Sequence, residues 1–161
     1  MNPTSKRRVR EIERKLKLPL PSVIRYCKEL EQEGILARVK TGNVAFYVAS
    51  RSETYFLGKK FYNIKQVYES ELIEYLKREL GNPVVILFGS YAKGEDLEDS
   101  DIDLYVETVS KENIRVDTFE RILDRKIQVF RHKNLKEIKN KHLANNILNG
   151  TVLNGFIEVF K

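Results

Sequence analysis

The segment Phe88-Gly89-Ser90-Tyr91-Ala92-Lys93-Gly94, followed by Ser100-Asp101-Ile102-Asp103-Leu104, decides the reading of this chain. It continues from the wholly apolar run Val84-Val85-Ile86-Leu87-Phe88, the pattern of a strand buried on both faces. A glycine and a serine that leave such a strand and open a helix present free backbone N–H groups and a hydroxyl to a phosphate, with no side chain in the way. Ten residues separate Ser90 from Asp101. Asp101 and Asp103 are two apart at the start of a second strand, 101–106, so both project from one face. Side by side, two unpaired carboxylates repel. A divalent cation relieves the repulsion, and with phosphate oxygens as its remaining ligands magnesium suits the pair.

Upstream of this segment, Asn63 and Gln66 have the spacing of a capping box. They are expected to open a helix through Ile64, Val67, Tyr68, Leu72, Ile73 and Leu76, which Gly81 and Pro83 close. Downstream, the polar loop 94–100 leads into the second strand. A short helix opened by Asp117 and Glu120, a strand near 126–130 and a helix opened by Asn134 and Glu137 follow. From Leu143 onward, apolar and small residues alternate around Gly150 and Gly155. These elements predict an α/β (α+β) fold, a mixed sheet with helices.

Turn, spacing and strand context together resemble the nucleotidyltransferase superfamily that includes DNA polymerase beta, and within it the minimal nucleotidyltransferase branch, whose signature is Gly-Ser, ten residues, Asp-x-Asp. The resemblance covers roughly residues 64–161. It implies that Gly89 and Ser90 hold the triphosphate of a nucleotide, ATP above all, and that Asp101 and Asp103 bind magnesium and serve catalysis. The family supplies a third carboxylate from a following strand, which completes the metal site and takes the proton from the attacking hydroxyl. Here that strand reads Arg125-Lys126-Ile127-Gln128-Val129-Phe130, and Gln128 aligns with the acid. An amide ligates through its oxygen but is not a base. Either another group substitutes, Glu107 being on the same strand face as the aspartates, or catalysis is weak or absent. Members of the branch act as antitoxins that adenylylate a HEPN-type ribonuclease toxin, which implies a protein acceptor and a paired partner.

Positive charge is concentrated at the other end of the chain. Residues 1–51 carry 12 Lys and Arg against 5 Asp and Glu, whereas residues 52–161 carry 17 against 18, for a total of +6. A basic first module points to a polyanionic partner. Val9, Ile12 and Leu16 mark one helix, and Leu18-Pro19-Leu20-Pro21-Ser22 breaks it. Val23, Ile24, Cys27 and Leu30 mark a second helix, ended at Gly34. Two short strands, 35–40 and 44–49, then flank Thr41-Gly42-Asn43. Residues 6–50 look like a winged helix-turn-helix, which makes DNA the expected partner. Ser22, Arg25 and Lys28 face outward from the second helix, and Arg38 and Lys40 flank the wing turn. The module lacks room for a full helix before Val9. Its apolar face therefore awaits cover, either from the helix after Asn63 or from a second subunit in a homodimer. Cys27 reads as a small core residue.

The expected domains are thus 1–50, a winged helix-turn-helix; 51–63, a linker; and 64–161, a nucleotidyltransferase domain. The apolar runs, five residues at 84–88 and six at 44–49, fall far short of a membrane span, and Met1 to Lys6 lead into a basic amphipathic pattern with no export signal, so a cytoplasmic protein is expected. One cysteine and two histidines cannot build a Cys-rich zinc site. Two functional readings follow. One is an enzyme that transfers a nucleoside monophosphate to a hydroxyl of a protein, RNA or small molecule. The other is a DNA-binding regulator whose nucleotide-binding domain is catalytically impaired. No further domain to hold a primer-template is visible, which argues against a polymerase.

Overall fold

The computed structural model describes residues 5–158, and the chain divides into two compact units, Met1–Gly58 and Lys59–Lys161. The outer ends of the expected domains, residues 1–4 and 159–161, lie outside the described residues. No helix among the described residues is long and apolar enough to cross a membrane.

In the first unit, α1 (Val9–Leu16) and α2 (Leu20–Gln32) precede a hairpin of β1 (Leu36–Thr41) and β2 (Val44–Ala49). Pro21 occupies the first turn of α2, where the proline's missing N–H would have no intrahelical partner anyway. Beyond α2 the chain turns left-handed at Gly34, and the Ile35 amide donates back to the Leu30 carbonyl (2.8 Å). The hairpin closes through Gly42-Asn43, with Thr41 paired to Val44. Arg7 extends it by exchanging two backbone hydrogen bonds with Tyr47. Val23, Cys27 and Tyr47 form a small core against Val9, Ile12 and Leu36. Burial, reinforced by Glu31, pushes the Cys27 thiol above its ordinary range, so it is a packing residue and not a nucleophile.

The segment 51–63, expected as a linker, is mostly helix: α3 runs Glu53–Glu69. Its start is capped by Ser52, whose Oγ accepts from the Tyr55 amide (3.1 Å). The aromatics Tyr55, Phe56, Phe61 and Tyr62 had hidden the helical period. Asn63 therefore caps nothing; it lies buried inside α3. The single helix expected from 64 to Gly81 is also interrupted, because Glu71 adopts φ +64° and separates α3 from α4 (Leu72–Leu80). Gly81 does close α4 in a left-handed cap.

The second unit is built on a mixed sheet in the order β5-β4-β3-β6, formed by β3 (Val84–Phe88), β4 (Ile102–Glu107), β5 (Ile127–His132) and β6 (Thr151–Asn154). β3 is antiparallel to both β4 and β6, and β4 is parallel to β5. Alternation assigns the two faces. Val85, Leu87, Ile102, Leu104, Val106 and Ile127 bury one face against Val67 of α3 and Leu72, Ile73, Leu76 and Leu80 of α4. Ile86, Phe88 and Tyr105 bury the other against Leu135, Ile138, Leu143 and Ile147. That second covering differs from the expected helix at Asn134. Residues Leu135–Glu137 make only a single 3-10 turn, and α7 (Lys141–Leu148) starts where the Asn140 side chain accepts from the amides of His142 and Leu143. Between β3 and β5 lie the short α5 (Gly89–Lys93) and α6 (Asp117–Leu123).

Candidate functional site

β3, β4 and β5 deliver the Gly-Ser turn, the paired aspartates and Gln128 to the same end of the sheet. Register dictates this: Phe88 pairs with Asp103, and Asp103 with Gln128. Asp101, Asp103 and Gln128 share the face that carries Tyr105 and Phe130 farther along, because side chains alternate along a strand. Gln128 Nε2 donates to Asp101 Oδ2 (2.9 Å). Asp103 is half-buried, and its carboxylate makes no hydrogen bond or ion pair among the described residues. Burial and, secondarily, the charge of Asp101 hold its carboxyl above the ordinary carboxylate range.

Gly89 is fixed by two independent demands. Its backbone is left-handed, at φ +75°, and a Cβ built on it would lie 2.2 Å from Asp103 Oδ2. The turn thus opens directly onto the carboxylate. Gly89→Ala is expected to destabilise the unit by about 1–3 kcal/mol through backbone strain and overpacking, read as a lowered melting temperature. An unchanged melting temperature would mean that Asp103 moves freely away. Ser90, in the first turn of α5, is half-buried with no hydrogen bond to its hydroxyl among the described residues.

Glu107 shares the aspartates' face but stands at the far end of β4, paired with Val84 and His132, where it accepts a hydrogen bond from the Tyr105 hydroxyl (2.9 Å). It does not replace the missing acid. Among the described residues no group of three or more His, Cys, Asp or Glu side chains converges. The arrangement at this end of the sheet is therefore two carboxylates beside an amide. An unpartnered half-buried carboxylate next to a second one suits a divalent cation that takes its other ligands from a substrate.

A family model described as a nucleotidyltransferase domain matches residues 69–153, just over half of the chain. The chain belongs to the nucleotidyltransferase domain family. Nucleotidyl transfer from a nucleotide substrate, with a divalent metal ion, is the chemistry of that family. No curated protein and no solved structure matches the chain.

Some residues near this candidate site do not stand out in the sequence. Asp96, in the loop between Ser90 and Asp101, is 1% exposed, and Lys59, Asn63 and Arg125 surround its carboxylate. Within the acidic run Glu95 to Asp99 nothing distinguishes it. The available signal was on α3, where Lys59, Asn63 and Val67 recur at a spacing of four and so share one helix face.

In the first unit Arg25 and Lys28 are exposed on α2, and Arg38 and Lys40 are exposed two apart on β1. Ser22 is half-buried. The Arg25 guanidinium lies over the Tyr26 ring and 3.6 Å from Glu29. The apolar face expected to await cover forms an open hollow of about 230 Å³, lined by Leu16, Leu18, Tyr26, Leu30 and, from the first turn of α3, Tyr55.

Proposed function

We propose that this protein transfers a nucleoside monophosphate from magnesium-bound ATP to a hydroxyl group in the cytoplasm. The observation that carries the reading is the contact between Gly89 and Asp103, a turn that only glycine fits, opening onto an unpartnered carboxylate. Gly89 and Ser90 receive the phosphates through backbone N–H groups and the serine hydroxyl. Asp101 and Asp103 hold the cation. When bound, magnesium supplies stabilisation of the negative charge that builds on the attacked phosphate. The acceptor oxygen bonds to the α-phosphorus, the bond to the bridging oxygen breaks, and pyrophosphate leaves. With an amide at position 128, the hydroxyl proton passes to water and not to a carboxylate there.

The resemblance to the minimal nucleotidyltransferase branch points to a protein acceptor, a HEPN-type ribonuclease toxin for which this chain is the antitoxin. Incubating the full chain with labelled nucleoside triphosphates, magnesium and lysate tests activity and acceptor together. Label on a protein supports this reading, whereas label on RNA or a small molecule redirects it. No labelled product favours the second reading, a DNA-binding regulator whose nucleotide domain binds without turnover. The hydrogen bond from Gln128 to Asp101 supports that alternative, because it places a neutral donor where the family has an acid.

In either reading the first unit is a winged helix-turn-helix that binds DNA. Helix, helix and hairpin in that order, with exposed cations on α2 and β1, support this. Each phosphate contact steepens the fall of log affinity with log salt by roughly 0.9 on duplex DNA, so Lys40→Ala in the full chain is expected to flatten the slope by about one contact. Arg25→Ala is expected to alter sequence preference instead. Failure of the parent to bind duplex at low salt would make this unit a protein-docking module.

A further inference from the structure

Asp96 is a buried carboxylate, and an ionised group out of water persists only where partners compensate it. Asn63 Nδ2 donates to its Oδ1 (2.8 Å), Lys59 Nζ lies 3.0 Å from the same oxygen, and Arg125 reaches Oδ2 at 3.6 Å. Lys59 Nζ also donates to the Asp96 backbone carbonyl, and the Asn63 amide donates to the carbonyl of Tyr91 (2.9 Å). These contacts converge on the seven-residue connection 94–100 between α5 and Asp101. Its other hydrogen bonds are local, among them those from the Glu95 amide to the Ser90 carbonyl (3.0 Å), the Leu97 amide to Ser100 Oγ (2.9 Å) and the Ser100 amide to the Leu97 carbonyl (3.2 Å), while Glu95, Leu97, Glu98 and Asp99 are exposed, Leu97 at 48%. Its two ends are nevertheless tied. Asn63 grips α5 through Tyr91, while Arg125 adjoins Lys126, whose carbonyl accepts from the Ile102 amide (2.8 Å) beside Asp101.

We propose that Asp96, held by Lys59, Asn63 and Arg125, is a positioning residue that fixes Asp101 and Asp103 against the Gly89-Ser90 turn. This rests on reading that turn and those aspartates as the magnesium–triphosphate site. Asp96 touches neither the nucleotide nor the reacting atoms; it acts through the loop. The placement matters because a displacement of about 1 Å in reacting groups costs on the order of a hundredfold in rate.

Parent, Asp96→Asn and Lys59→Met are compared well below their melting temperatures by two measurements. One is hydrogen exchange of amides 94–103 without nucleotide, and the other is calorimetric affinity for magnesium–ATP. Exchange in 94–103 is expected to quicken by about tenfold or more while β3 keeps its protection, because a loop opens locally when its tether is lost. Magnesium–ATP is expected to bind about tenfold more weakly, as preorganisation is lost. Unchanged loop exchange in Lys59→Met overturns the proposal. So does faster exchange spread evenly over the unit, which makes Asp96 a stability element, or local opening with undiminished affinity. If Asp96→Asn does not fold, Lys59→Met decides by the same criteria. A parent that fails to bind magnesium–ATP refutes the nucleotide reading of the site, and the exchange comparison then decides positioning alone.

Discussion

The Asp101→Asn, Asp103→Asn double variant is expected to lose magnesium-dependent triphosphate binding and at least about a thousandfold of its transfer activity. A bound cation supplies several kcal/mol of transition-state stabilisation, and each ~1.4 kcal/mol is tenfold in rate. The same variant should melt higher than the parent when no metal is present. Burial and its neighbour hold the Asp103 carboxyl above the ordinary range, so the ionised pair works against folding. A raised folded-state pKa means that the folded protein binds the proton more tightly than the unfolded chain. The stabilising contribution is present at acid pH and is lost as pH rises through the raised value. The stability advantage of the double variant should therefore grow from acid to neutral pH and shrink when magnesium is added to both proteins. Calorimetric titration with magnesium–ATP and melting curves at several pH values check both statements. Equal triphosphate binding by the variant would remove these carboxylates from the site.

Much of the site was legible because it depends on short-range rules. Strand alternation alone put Asp101 and Asp103 on one face, and a glycine after an apolar strand announced a turn, later seen at φ +75° against Asp103. The alignment of Gln128 came from the resemblance and not from local pattern, since its register with Asp103 depends on parallel pairing of β4 with the distant β5. What stayed hidden depends on distant partners. Asn63 carries the sequence features of a helix cap, yet it sits inside α3 and serves Asp96, 33 positions away. Sequence spacing alone does not show that a buried acid awaits on another element. The start of α3 escaped for a different reason: Ser52 caps it, but the aromatic-rich stretch after it has no clean period. Asn134 misled because Asn140, six residues later, is the one whose side chain caps the helix amides.

On the proposed reading, Gln128 is the residue that separates a site that turns over from one that only binds. The amide now serves Asp101 as a hydrogen-bond donor, so Gln128→Asp exchanges that donor for a third carboxylate beside Asp103 in the sheet register. General-base assistance is worth about 10²–10⁴-fold, so transfer to the labelled acceptor should rise by an amount that even imperfect placement leaves visible. Aspartate is one methylene shorter than glutamine, and Gln128→Glu, nearly isosteric with the amide, tests reach separately. Both variants add charge to a face where Asp103 already titrates high, so without metal they should melt lower than the parent. A cation that binds only the folded state stabilises it, so magnesium is expected to restore more of the melting temperature in the variants than it adds to the parent. The two signatures separate the readings. A gain in transfer together with stronger magnesium stabilisation would show that the amide alone restrains an otherwise complete nucleotidyltransferase site. Stronger magnesium stabilisation without transfer would show a binding site that lacks more than a base, which favours the regulator. No change in either would mean that position 128 does not border the cation, and the Gln128 to Asp101 hydrogen bond would then be structural only.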